Sequence, residues 1–151
     1  MTNQADALAD RVEAGDGADR ELDCLIAVAC LGYFEVPPKW KGGPIGYGKF
    51  DSDGAEIHPG HGGAQLVPRF TASLDAAMTL VPEGDYWVRQ DLWPDYLGRA
   101  TASVCRLVQG DQPALTRVGQ ASSPARALTA AALRSRAQSA ASLPAGEDAP
   151  C

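Results

Sequence analysis

The chain is poor in the residues that carry most enzyme chemistry. Among 151 residues there are only two histidines, His58 and His61, and both fall in one glycine-rich stretch. No Gly-x-Ser-x-Gly elbow occurs, so a serine nucleophile lacks both its turn and a base placed to serve it. The four cysteines, Cys24, Cys30, Cys105 and Cys151, form no Cys-x-x-Cys pair, which removes the usual zinc and redox signatures. Cys24 and Cys30 lie six apart on a predicted helix and point in different directions, so they cannot bridge. No apolar run approaches the length of a membrane span. Residues 1–6 (Met-Thr-Asn-Gln-Ala-Asp) lack the basic and apolar regions of a secretory leader. Positive charge is also short: 13 bases stand against 19 acids, for a net charge of −6. Such a balance advertises no general affinity for nucleic acid or an anionic membrane. The expectation is a cytoplasmic protein with reduced thiols and no membrane or nucleic-acid partner.

What is present is ordinary globular material. Hydrophobic residues make up 45% and charged residues 21%, enough apolar surface for one self-sufficient domain. Residues 4–14 predict a short helix with Leu8 and Val12 on one face and Gly15 as its stop. Residues 18–31 predict a second, with acids at its start, an apolar stripe of Leu22, Leu25, Ile26, Ala29 and Cys30, and Gly32 at its end. Pro37 and Pro38 then interrupt regular structure. Eight glycines fall between Gly42 and Gly63, so residues 39–67 are expected to be a long loop, with Trp40, Tyr47 and Phe50 seeking something to pack on. A third helix is expected over residues 72–81, capped by Thr71 or Ser73 and buried through Leu74, Ala77, Met78 and Val81. Pro82 and Gly84 stop it. Alternation over residues 85–90 and 97–108 gives two strands, and residues 114–120 a possible third. Ser122-Ser-Pro starts an alanine-rich helix over residues 124–141, with Leu128 in its face. Residues 142–151 read as a flexible tail. The predicted class is α+β: helices covering a small antiparallel sheet of two to three strands, as a single domain over residues 1–141.

Three segments carry a resemblance. They are Asp19-Arg-Glu-Leu-Asp, the stretch from Arg69-Phe-Thr-Ala-Ser-Leu-Asp through to Trp87, and Ala121-Ser-Ser-Pro-Ala-Arg-Ala-Leu. In this order they resemble the phage ABA sandwich family of small phage and prophage proteins. The likeness covers residues 5–35 and 69–137 and leaves out the glycine-rich loop. It implies an α+β fold and a phage or prophage origin. It implies no activity.

The constellations that could carry chemistry are few. Gly43-Pro-Ile-Gly-Tyr-Gly48-Lys49-Phe50 has the spacing of a phosphate loop, but Phe stands where Ser or Thr must meet Mg²⁺. His58 and His61, with Asp51, Asp53 and Glu56, could offer metal ligands from one loop, though a proline separates the histidines. Asp51-Ser-Asp-Gly begins like a calcium loop, but Gly62 stands at the twelfth position, where the bidentate glutamate belongs. The strands followed by a final helix have the outline of a double-stranded-RNA-binding domain, with only Arg126 at the helix start. Charge is uneven: residues 1–31 carry seven acids and two arginines, whereas residues 112–146 carry Arg117, Arg126, Arg134 and Arg136 and no acid. Either these two regions face each other, or they are separate charged surfaces.

The functional expectation is a binding protein without enzymatic activity or cofactor, acting on a host protein through the acidic residues 1–31. The alternative is a small anionic ligand, nucleotide-like, held by Trp40, Lys41, Tyr47, Lys49, Arg89, Trp93 and Arg126.

Overall fold

A computed structural model describes residues 3–51, 53–57, 67–84, 86–91, 94–106 and 115–141. Its elements run α1 (Gln4–Ala14), α2 (Arg20–Leu31), β1 (Phe34–Val36), β2 (Gly46–Phe50), β3 (Glu56–Ile57), α3 (Leu74–Met78), β4 (Tyr86–Gln90), β5 (Ala100–Arg106), β6 (Leu115–Ala121) and α4 (Pro124–Ala141). The α+β class is as the sequence predicts. Two antiparallel sheets form, in the orders β1-β2-β3 and β4-β5-β6.

The expected loop over residues 39–67 is a correction. Within it β2 pairs with β1 (Phe34 opposite Gly48) and then with β3 (Lys49 opposite Ile57). Glycine hides this strand from a pattern reading, because it gives no alternating side chain. Here it has a packing use: a Cβ on Gly48 would fall within 2.4 Å of the Phe34 ring, which lies across it. Phe34 and Phe50 then meet with ring centroids 5.1 Å apart. The β2–β3 and β4–β5 connections use one device. Asp51 Oδ1 accepts from the N–H groups of Asp53 and Ala55, and Asp95 Oδ1 from those of Leu97 and Arg99. Each turn closes through a left-handed glycine, Gly54 at φ 79° and Gly98 at φ 75°. The Asp51 segment is therefore a hairpin turn.

The core forms around α4. Residues 125–133 are buried on every side, because β5 and β6 lie against one face and α1 and α3 against the other. A helix apolar all round is a buried helix, and alanine lets both neighbours come close. The tightest approach is at Gly119 of β6, where a Cβ would lie 2.1 Å from Ala127 O and 2.7 Å from Ala131 N. Leu128, Leu133, Val104, Ile26 and Phe70 fill the space between layers.

Two buried polar networks fix the helices. Asp23 of α2 is fully enclosed; it accepts from Thr71 N–H at 2.8 Å and pairs with Arg20 at 3.2 Å. Arg20 also reaches the carbonyls of Val67 and Pro68. Thr71 Oγ1 accepts from Asp19 N–H, while Ser73 takes the capping role on α3. At the other end Arg126, also fully buried, donates to the carbonyls of Val12 and Gly17.

α3 is shorter than predicted and turned. Ala77 is buried as expected, but Leu74 and Met78, also expected in the core, are 42% and 47% exposed; Phe70 and Leu80 are buried in their place. After Met78 the chain tightens into i→i−3 bonds, Thr79 to Ala76, Leu80 to Ala77 and Val81 to Met78. That change of pitch carries Leu80 inward and swings the 74/78 edge to solvent.

Candidate functional site

Most of the charge singled out in the sequence is consumed by the fold. The acidic and basic regions face each other: Arg134 of α4 forms bonds of 2.6 and 2.8 Å to Glu13 and 2.9 Å to Asp10, both on α1. Burial acts to raise the Glu13 pKa, but the hydrogen bonds from Arg134 and from Gln120 N–H, with the guanidinium charge, hold it below its ordinary value. Asp19 caps α2, and Asp23 is buried. Of the seven acids in residues 1–31, Asp10, Glu13, Asp19 and Asp23 are thus engaged within the fold, while Asp10, Asp16 and Glu21 remain exposed. Arg136 donates to the carbonyls of Leu80 and Cys30, and Arg117 to Gln138 at 2.8 Å.

The seven ligand-binding candidates divide in the same way. Arg126 is enclosed, so the one base expected at the start of α4 does not face solvent. Tyr47 is a strut between β2 and α2: burial and a hydrogen bond with Cys24 push its pKa up to about 12. Lys49 sits over the Tyr33 ring, 5.5 Å from the centroid. It is in a strand, with no helix following, so the phosphate-loop spacing at residues 43–50 is coincidental. Trp40 and Lys41 are exposed in the β1–β2 connection. Arg89 is exposed on β4, in the other sheet, 3.4 Å from Asp91. Trp93, His58 and His61 lie outside the described residues. Among the described residues no group of three or more His, Cys, Asp or Glu side chains is placed to hold a metal. Burial raises the pKa of the Cys24 and Cys30 thiols, which suppresses the nucleophilic thiolate.

What remains open is one side of the β4-β5-β6 sheet and one of its edges. The face away from α4 carries Trp87, Cys105 and Thr116 in one row and Arg89, Ser103 and Val118 in the next. Trp87 and Val118 are 48% and 45% exposed, and Tyr96 and Leu97 project from the β4–β5 turn. This surface sets the exposed Trp87 and Val118 among the polar residues Arg89, Ser103 and Thr116, with Arg89 paired to Asp91.

The edges differ. In β6 two of the outward-directed groups are met by side chains: Val118 O accepts from Arg134 at 2.9 Å, and Gln120 N–H donates to Glu13 at 2.9 Å. The α1–α4 ion pair thus guards the middle of that strand. In β4 the register and the Asp91 N–H bond to Thr101 O direct the backbone groups of Trp87 and Arg89 toward β5. Those of Tyr86, Val88 and Gln90 consequently point away from the sheet. Tyr86 N–H turns back to Gly84 O. The N–H groups of Val88 and Gln90 and the carbonyls of all three meet no described residue. The Gln90 side-chain Nε2, enclosed beside this edge, also lacks an acceptor.

A second concavity, of about 210 Å³ including the space open to solvent, lies between α4 and the far end of the sheet. It is lined by Tyr86, Arg106, Leu115, Ser135, Gln138 and Ser139. Tyr86 OH and Ser139 Oγ are 2.9 Å apart, while Ser135 Oγ is buried with no partner among the described residues.

Comparison with protein-family models, with curated proteins and with solved structures finds no match.

Proposed function

We propose that the protein is a non-enzymatic binding protein that takes an extended polypeptide segment along the outer edge of β4. The observation that carries this reading is the contrast between edges: side chains of Glu13 and Arg134 occupy backbone groups of β6, whereas on β4 the N–H groups of Val88 and Gln90 and the carbonyls of Tyr86, Val88 and Gln90 meet no described residue. An unguarded edge is a template for strand addition, with main-chain bonds giving affinity and alternate side chains giving selectivity. Trp87 beside that edge supplies the aromatic anchor that such interfaces favour. The setting we propose is the one the family resemblance suggests: a phage-encoded accessory protein meeting a host protein in the bacterial cytoplasm. That setting rests on the three resembling segments alone. The RNA reading loses support, because Arg126 is spent on the carbonyls of Val12 and Gly17.

Val88→Pro tests the edge. The Val88 N–H points away from β5, so proline removes an outward donor without breaking the β4–β5 ladder. Peptides selected from a random library on the wild-type protein are expected to lose binding to Val88→Pro, while its circular dichroism stays that of the parent and its thermal melt falls no further than that of Val88→Ala, which loses the same core packing. Binders indifferent to the substitution, or a library that yields none, would overturn the reading.

A second reading, a small anion, is favoured by Ser135 Oγ, unpartnered among the described residues, and by the Arg106 side chain in the same concavity. Isothermal titration with phosphate and a nucleotide panel tests it: heat that disappears in Ser135→Ala supports it, and no heat with the wild type rejects it.

A further inference from the structure

We infer that the segment accommodated by the β4 edge is β4 of a second copy of this chain, antiparallel, with the two-fold axis at Val88. The inference rests on the edge reading above and names its partner. It follows from the self-complementarity of the five residues Tyr86–Gln90.

A two-fold antiparallel pairing must bring outward-directed residues opposite outward-directed residues. Centring on Val88 does this along the whole strand. Val88 exchanges both backbone bonds with Val88 of the second copy, and each Gln90 N–H reaches the Tyr86 carbonyl of the other chain. Tyr86 N–H, already turned to Gly84 O, is not required. On the open face the same register sets Trp87 of each copy opposite Arg89 of the other. A guanidinium over an indole ring is a favourable cross-strand pair. Arg89 is the strand's one charged residue, so in this register no like charges are opposed.

The neighbouring registers are poorer. Centring on Arg89 sets two guanidiniums directly opposite each other, which is repulsive. Centring on Trp87 pairs a shorter stretch and leaves Gln90 outside the ladder. The Val88 register would join the two three-stranded sheets into a continuous sheet of both copies, with α4 of each on the same side. It would also cover part of each exposed Trp87 ring, and because the contact is isologous it closes at two copies, with Glu13 and Arg134 occupying backbone groups of the outer β6 edges.

Sedimentation velocity over micromolar to millimolar protein, with variants, tests the proposal. The wild type is expected to show a concentration-dependent dimer. Val88→Pro is expected to abolish it, and Arg89→Glu to weaken it about tenfold or more through the two symmetry-related pairs. The double variant Trp87→Lys with Arg89→Glu sets Lys opposite Glu across the axis and is expected to restore dimerisation. A wild type that stays monomeric throughout overturns self-association. The peptide-library result with Val88→Pro is read separately on that monomer, so a heterologous strand partner is distinguished from a failed edge. A dimer that survives Val88→Pro, or that the charge exchange does not restore, overturns the Val88 register.

Discussion

At the scale of the residue, two positions show how closely the layers are fitted. Gly119 is where α4 lies against β6, and the atoms a Cβ would meet are helix backbone, which cannot rotate away. Gly119→Ala is expected to lower stability by about 1–3 kcal/mol through overpacking, read by urea denaturation. Leu128 of the same helix is 1% exposed, and Leu128→Ala is expected to cost about 2–5 kcal/mol. The Leu128 assignment was legible, since the alanine-rich helix has few large apolar residues to bury. The importance of Gly119 was not, because nothing in a sequence distinguishes a strand glycine under a helix from one in a turn. Asp23 and Arg126 were misleading for a related reason. Charged side chains are read as surface unless their partners are known, and here the partners are backbone groups of distant segments. Arg126→Met would keep the volume but leave the Val12 and Gly17 carbonyls unmet, an expected loss of about 1–3 kcal/mol per buried group.

At the scale of the element, boundaries followed from caps and breakers. Asn3, Asp19 and Ser73 accept from the first-turn N–H groups of α1, α2 and α3, and Gly32 closes α2 in the left-handed region at φ 71°. These signals are local, so the chain displays them. α1 and α4 were placed with the observed limits, and β4 and β5 with core alternation intact, although residues 97–99, expected in β5, belong to the Asp95 turn that precedes it. The orientation of α3 was hidden because the i→i−3 ending depends on where Leu80 can be buried, a property of the neighbours. The guarded and unguarded edges were hidden too, since strand order is not written in any one strand. The turned face of α3 gives a direct check. Met78→Ala and Leu74→Ser are expected to change stability by no more than about 0.5–1 kcal/mol, whereas Phe70→Ala is expected to cost about 3–5 kcal/mol. Thermal melts of the three variants side by side would expose an error in the rotation of that helix.

At the scale of the whole molecule, the first and last helices are held together by charge. Because the Glu13 pKa is lowered on folding, its ion pair adds stability that is fully present above the unfolded value near 4.5 and is lost as pH falls through the lower folded value. Glu13→Gln is expected to reduce stability at neutral pH and to flatten its fall on acidification. Glu13→Ala would also remove the acceptor of Gln120 N–H at the β6 edge, so light scattering of that variant at neutral pH is expected to rise.

The central position of α4 has a consequence for the order in which the chain is made. α1, α3, β5 and β6 all pack against this helix, yet it leaves the ribosome after them. Until it emerges, α1 lacks its most extensive neighbour, the β4–β6 sheet has a bare inner face, and Glu13 lacks the Arg134 guanidinium. Nascent chains stalled before residue 124 are therefore expected to be protease-sensitive along their whole length, and to gain protection in one step once α4 has cleared the exit tunnel.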